Sequence, residues 1–137
     1  MRVGVVDIGT NSTRLMVADV AGDGSVTELE RRSTVTRLGQ GVDTSGTLAQ
    51  EAMDRVFAAL TEYRTIADDL GVEATTGVLT SAVRDASNGA GFQAAIRERF
   101  GRSFFTRSPQ AFLVDNLRHA ATAGRRGRMR AWTPTAT

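Results

Sequence analysis

At 137 residues, with 41% hydrophobic and 23% charged residues, the chain has the make-up of one soluble globular domain with its own core, not of a disordered or fibrous polymer. It contains no cysteine, which excludes a disulfide scaffold and a thiolate metal site. The formal net charge of +2 hides an asymmetry: up to Phe100 there are 10 arginines against 14 acids, whereas the last 37 residues carry 7 arginines against Asp115 alone, and lysine is absent throughout.

Arg2 to Asp7 is a β-branched run suited to a buried strand, and too short for a secretory or membrane-spanning segment. A cytoplasmic protein without membrane association is expected. Asp7-Ile8-Gly9-Thr10-Asn11-Ser12 is turn chemistry, Thr13 to Val20 a second strand, and Ala21 to Ser25 a tight hairpin turn. Val26 to Val35 reads as a third strand whose broken alternation suits a sheet edge. Residues 36–46, with three glycines, read as a loop.

Thr47-Leu48-Ala49-Gln50 fits a capping box, in which the threonine hydroxyl caps a helix and the glutamine reaches back. Apolar Met53, Val56, Phe57, Leu60, Ile66, Ala67 and Leu70 then recur at helical spacing, and Gly71 stands where a left-handed residue ends the helix. Thr75 to Thr80 reads as a short strand and Ser81 to Asn88 as a turn or one helical turn. Asn88 is a candidate cap for a helix from Gly89 to Phe100, with Phe92, Ala95, Ile96 and Phe100 inward. Three strands, a crossover helix, a strand and a helix imply an α/β fold, a mixed sheet with helices packed on it. Beyond Gly101 no clean period survives, so we expect an organised unit over residues 1–100 and a divergent, arginine-rich, poorly ordered tail over 101–137.

Two stretches carry chemistry. In the first turn, Gly9 allows the backbone to approach an anion, and successive N–H groups can converge on one concavity. Thr10, Asn11 and Ser12 add side-chain donors, and Asp7 at a strand end can hold a hydrated divalent cation that bridges to phosphate. The bland alternative is an Asx-type turn without a ligand. In Thr80-Ser81-Ala82-Val83-Arg84-Asp85-Ala86-x-Asn88, Ser81 and Arg84 follow a strand, where open α/β sheets place ligands, and the arginine fork suits phosphate oxygens. Its alternative is a salt bridge to Asp85 or to a helix carboxylate.

Taken with Arg14-Leu15 and Arg37-Leu38-Gly39-Gln40-Gly41-Val42, these motifs in this order closely resemble the exopolyphosphatase/guanosine pentaphosphate phosphatase (Ppx/GppA) family over residues 1–100. The resemblance implies a partial lobe of the ribonuclease H-like fold shared by actin, sugar kinases and heat-shock ATPases. It implies hydrolysis of terminal phosphoanhydride bonds, in polyphosphate or guanosine pentaphosphate, with Mg2+, and often a homodimer. Residue by residue it makes Asp7 the metal-associated carboxylate, Gly9, Thr10, Asn11 and Ser12 the phosphate donors, and Arg84 the catalytic arginine that stabilises phosphoryl charge. It gives Arg14 and Arg37 no role.

The family's pattern continues with a Ser-Gly-Glu-Glu-Glu-Ala-like stretch, supplying the glutamate that polarises water, and an Asp-x-Gly-Gly-Gly-Ser loop. Residues 103–120 contain no glutamate and neither motif follows, while Ala121-Thr122-Ala123-Gly124-Arg125 again looks like the family. A frame disturbance would explain familiar residues amid unfamiliar ones. An inactive, truncated form is therefore expected; the other readings are a non-catalytic polyanion-binding module and an ATP-binding, sugar-kinase-like domain. His119 reads as a surface residue and Arg125 to Arg130 as a solvated tail, so nucleic acid is not an expected partner.

Overall fold

Alternation along the first strand decides how the sheet is covered. The computed structural model describes residues 1–101, in which β1 (Arg2–Ile8) pairs antiparallel with β2 (Ser12–Val20) and parallel with β4 (Ala74–Leu79). β3 (Val26–Val35) lies antiparallel on the far side of β2, giving the order β3-β2-β1-β4. Val6 and Ile8 enter the main core with Leu15 and Val17, and Val3 enters a smaller cluster with Val20 and Ala74. Successive side chains of a strand point to opposite faces, so β1 is apolar on both. Asp7 breaks that pattern and is exposed.

β3 is the edge strand its sequence suggests. Glu28 pairs with Ala18 and Glu30 with Val17, so Leu29 is the extra residue of a bulge, and this is why the alternation is broken. Ion pairs Arg31–Glu28 (2.7 Å) and Arg32–Glu30 (3.3 Å) line the strand with charge, a common protection against edge-to-edge pairing.

Between β3 and β4 run the short α1 (Val42–Ser45), inside the stretch expected to be a loop, and α2 (Gln50–Asp69). The buried seam of α2 is Ala52, Val56, Ala59, Leu60, Tyr63 and Ala67, whereas Met53, Phe57 and Ile66 are half-buried. The expected stripe thus holds at Val56, Leu60 and Ala67, while Met53, Phe57, Ile66 and Leu70 flank it against the same core. Ala52, Ala59 and Tyr63 complete the seam, the small alanines letting the helix lie close to the sheet. The capping box does not form. Ala49 is the N-cap; the Thr47 hydroxyl donates to Ser45 Oγ at 3.1 Å and Gln50 Nε2 to Asp54 Oδ1 at 2.9 Å, so the last residue of α1 has taken the cap. Gly71 ends α2 at φ 69°, with Gly71 N–H donating to Asp68 O and Val72 N–H to Ala67 O, the paired bonds of a Schellman turn.

After β4 come α3 (Ser81–Arg84) and α4 (Gly89–Phe100), the latter burying Phe92, Ile96 and Phe100. Phe92 meets Phe57 edge-on at 5.4 Å between ring centroids, and the Arg99 guanidinium lies 4.2 Å from the Phe57 centroid, so α4 packs beside α2 in the same core. Ala95 is only half-buried. Asn88 occupies the N-cap of α4 but its side chain does not cap. It accepts from Leu48 N–H at 2.8 Å and donates to Leu48 O at 3.0 Å, tying together the entries of the two long helices. No helix among the described residues is long and apolar enough to cross a membrane. The expected tail beyond residue 101, with His119 and the arginine cluster, lies outside the described residues.

Candidate phosphate site

The first turn is a tight connection between β1 and β2, closed by Gly9 N–H donating to Ser12 O at 3.0 Å. Its backbone is polarised by a neighbour. Thr36 and Arg37 both donate their N–H groups to Asn11 O at 3.1 Å, and Gly39 N–H donates to Thr10 O at 2.9 Å. The carbonyls of Thr10 and Asn11 are thereby spent on residues 36–39. The N–H groups of the same two residues have no partner among the described residues. A turn with carbonyls held back and amides left over has donors to offer an anion.

Gly39 makes this contact possible, since a Cβ there would fall inside the Thr10 methyl group. Arg37 adopts φ 48°, the one non-glycine with positive φ among the described residues, and Leu38 beside it is fully buried. Helix α2 holds the segment from behind: Arg55 Nε donates to Thr36 O at 2.8 Å and its Nη2 to Gln40 Oε1 at 3.0 Å.

A buried polar chain fixes the base of the hairpin. The Tyr63 hydroxyl donates to Thr13 O at 2.7 Å and lies 2.7 Å from Thr34 Oγ1, while Thr13 Oγ1 and Thr36 Oγ1 are 2.9 Å apart. Removal from water pushes the Tyr63 phenol above its ordinary pKa, partly offset by the Thr34 bond, so it stays a neutral donor.

The second motif arrives at the same end of the sheet. Thr80, just past β4, donates its N–H to Ile8 O at 3.2 Å, and Arg84 N–H donates back to Thr80 O at 3.1 Å. Adjacent parallel strands therefore deliver the turn at residues 9–11 and the Arg84 turn side by side. Arg84 is exposed and makes no ion pair among the described residues, so neither Asp85 nor a helix carboxylate neutralises it.

Thr10 and Asn11 are exposed, Gly9 and Ser12 half-buried. Asp7 is exposed at the strand end, opposite Arg14 in register but not ion-paired with it. The described residues contain no group of three or more potential metal ligands. A single free carboxylate still fits Mg2+, which usually takes one or two carboxylates and completes its shell with water and substrate phosphate oxygens.

Gly39, Arg55, Thr13, Thr36 and Tyr63 escaped the sequence reading. Gly39 sat in a quoted motif but signalled only a loop. Buried threonines and a helical tyrosine give no sequence signal that they will meet.

Comparison with known proteins decides what the arrangement is related to. The model of the Ppx/GppA phosphatase family matches residues 16–104. This chain belongs to the Ppx/GppA phosphatase family. The match begins after the first turn and takes in the Arg37–Val42 and Thr80–Asn88 stretches. Exopolyphosphatase 2 of Mycobacterium tuberculosis is 42% identical over 90 residues, which are 64% of this chain and 28% of that protein. The Aquifex aeolicus member of the Ppx/GppA family superposes with a TM-score of 0.67 at 33% identity, covering 71% of this chain and 31% of its own. An exopolyphosphatase from Cytophaga hutchinsonii gives 0.66 at 35% identity, covering 72% and 31%. The Ppx/GppA fold, actin-like and ribonuclease H-like, is thus the fold of this partial lobe, and the sugar-kinase reading falls away. The chain spans less than a third of the length of these relatives.

Proposed function

We propose that residues 1–101 are the anion-holding part of a site that hydrolyses terminal phosphoanhydride bonds, with inorganic polyphosphate or guanosine pentaphosphate as substrate in the cytoplasm. The polarised turn supports the reading: two amides lack partners among the described residues while residues 36–39 have taken up the carbonyls of the same two residues, and the neighbouring strand end leads into an arginine without a counter-ion. In this reading Gly9, Thr10, Asn11 and Ser12 hold phosphate oxygens, Asp7 takes part in holding Mg2+, and Arg84 stabilises charge on the transferred phosphoryl group. Mg2+ would neutralise phosphate charge at the Asp7 end of the turn.

Water attack on the terminal phosphorus breaks its bond to the bridging oxygen and releases orthophosphate. That step needs a group to orient the water, typically a carboxylate worth about 10²–10⁴-fold. Residues 101–137 carry Asp115 as their one acid. We therefore propose that the 137-residue chain by itself binds polyphosphate and does not turn it over. Phosphate release from polyphosphate with Mg2+ should match that of Arg84→Ala, while Arg84→Ala binds polyphosphate more weakly. Robust release that Arg84→Ala abolishes would show that Asp115 or a second subunit completes the site. Absence of polyphosphate binding by the wild type would remove the reading altogether.

A further inference from the structure

The ten arginines of residues 1–101 divide by what they touch. Arg2 bonds Asp19 and Leu70 O, Arg31 and Arg32 pair with glutamates, and Arg55 holds Thr36 O and Gln40. Arg64 donates to Arg99 O, Arg99 covers the Phe57 ring, and Arg97 also has a partner. Arg14, Arg37 and Arg84 remain without an ion pair, hydrogen bond from the side chain or aromatic contact among the described residues. All three border the first turn. Arg14 stands opposite Asp7, Arg84 follows the strand bonded to Ile8, and Arg37 donates its own N–H to Asn11 O.

Arg37 is the least expected of them. Its left-handed backbone turns the chain between the amides that reach Asn11 O and the Gly39 amide that reaches Thr10 O, and glycine would adopt that conformation without cost. The turn accounts for the conformation and gives no reason for an arginine. The side chain is exposed, long and charged, anchored beside the free amides of Thr10 and Asn11 by a 3.1 Å bond in its own backbone and by buried Leu38. We propose that Arg37 binds a second anionic group next to the one cradled by the turn, so that the site selects ligands with adjacent phosphoryl groups over orthophosphate. The inference rests on the phosphate reading of the turn and adds a specificity residue to it. Guanidinium suits the task because its planar fork bonds two oxygens of one phosphoryl group.

The test compares orthophosphate and linear tripolyphosphate binding, by calorimetry at fixed ionic strength, for wild type, Arg37→Gly and Gly9→Val. Glycine keeps the φ 48° turn and removes the cation. Arg37→Gly should weaken tripolyphosphate about tenfold, the loss of one hydrogen bond to a charged acceptor, and leave orthophosphate unchanged. Arg37→Lys should recover part of the loss. Equal weakening of both ligands, or none for either, overturns the inference while the turn's role stands, provided Gly9→Val weakens both. If the wild type binds neither ligand, the reading of the turn fails and the inference fails with it.

Discussion

The two ends of the sheet treat charge in opposite ways. At the amino-terminal end of β1 every charge has an address. The Met1 ammonium donates to Val20 O at 2.8 Å, and Arg2 reaches Asp19 at 2.9 Å and Leu70 O at 2.6 Å. Glu73 accepts from Arg2 N–H at 2.9 Å and donates its own N–H to Arg2 O at 2.8 Å. At the carboxyl end, Asp7, Arg14, Arg37 and Arg84 are unpaired among the described residues and two amides lack acceptors. A depression of about 440 Å³, bordered by Met1, Arg2, Asp19 and Glu73, nevertheless lies at the closed end. Spare hydrogen-bonding capacity is the ground for proposing the site at the open end, because groups that already hold partners must give them up before they can bind.

The contrast is broken most directly at Gly9. A Cβ there would sit 2.9 Å from Ser12 O, the carbonyl that closes the turn, so Gly9→Val disrupts the turn itself. Polyphosphate affinity should fall about a hundredfold, equivalent to two hydrogen bonds to a charged acceptor, whereas Asn11→Ala should cost only a few-fold. Arg2→Ala, at the closed end, should leave affinity unchanged; a comparable loss there would erase the distinction.

Gly89→Ala probes the Arg84 side. Its Cβ would lie 2.5 Å from Val83 O and 2.8 Å from Arg84 O, backbone atoms with little room to retreat. Denaturant unfolding should show a loss of about 1–3 kcal/mol, typical of overpacking. A stability unchanged from wild type would mean that α3 and α4 are less closely apposed. Tyr63→Phe should cost about 1–2 kcal/mol by stripping partners from Thr13 O and Thr34 Oγ1, without a direct effect on charge at the site.

The smallest effect belongs to the closed end. The Arg2 hydrogen bond holds the Asp19 carboxyl below its usual pKa against a modest opposing effect of burial. A carboxylate depressed in the folded state contributes stability above its unfolded pKa of about 3.9 and loses it as pH falls through the folded value. Asp19→Asn should therefore lower thermal stability slightly above about pH 4, and the difference from wild type should vanish as pH falls through the folded value. With side chains 36% and 42% exposed, the pair is well screened, so a large shift at neutral pH would contradict this account.

Most of the architecture was legible because its signals are local. Strand alternation, the glycine that ends α2 and the edge character of β3 all depend on neighbours in sequence, and the elements fall where those signals put them. Thr47 and Asn88 show the limit. Both are good cap residues, yet Thr47 bonds Ser45, two residues back in the last turn of α1, and Asn88 bonds Leu48, which only the folded chain brings near. At the candidate site the turn at residues 9–12 and Arg84 were readable as motifs. Its polarity was not, because that depends on Gly39 meeting the turn and on Arg55 holding Thr36 behind it, both across long sequence separations.

Strand β1 acquires its two neighbours on very different terms. β2 follows it after a three-residue turn, whereas Val3 waits for Ala74, with β3 and α2 still to be made. Hairpins close in about 1–10 μs, and a ribosome adds about 5–20 residues each second. The β1–β2 hairpin can thus close seconds before the strand that leads into Arg84 has emerged. During that interval the other edge of β1 lies bare, with apolar side chains on both faces, an invitation to pair with a neighbouring nascent chain. Pulse-labelled hydrogen exchange on stalled chains should find the β1–β2 amides protected before residue 74 is added. Protection that appears only with β4 would mean that the lobe assembles all at once.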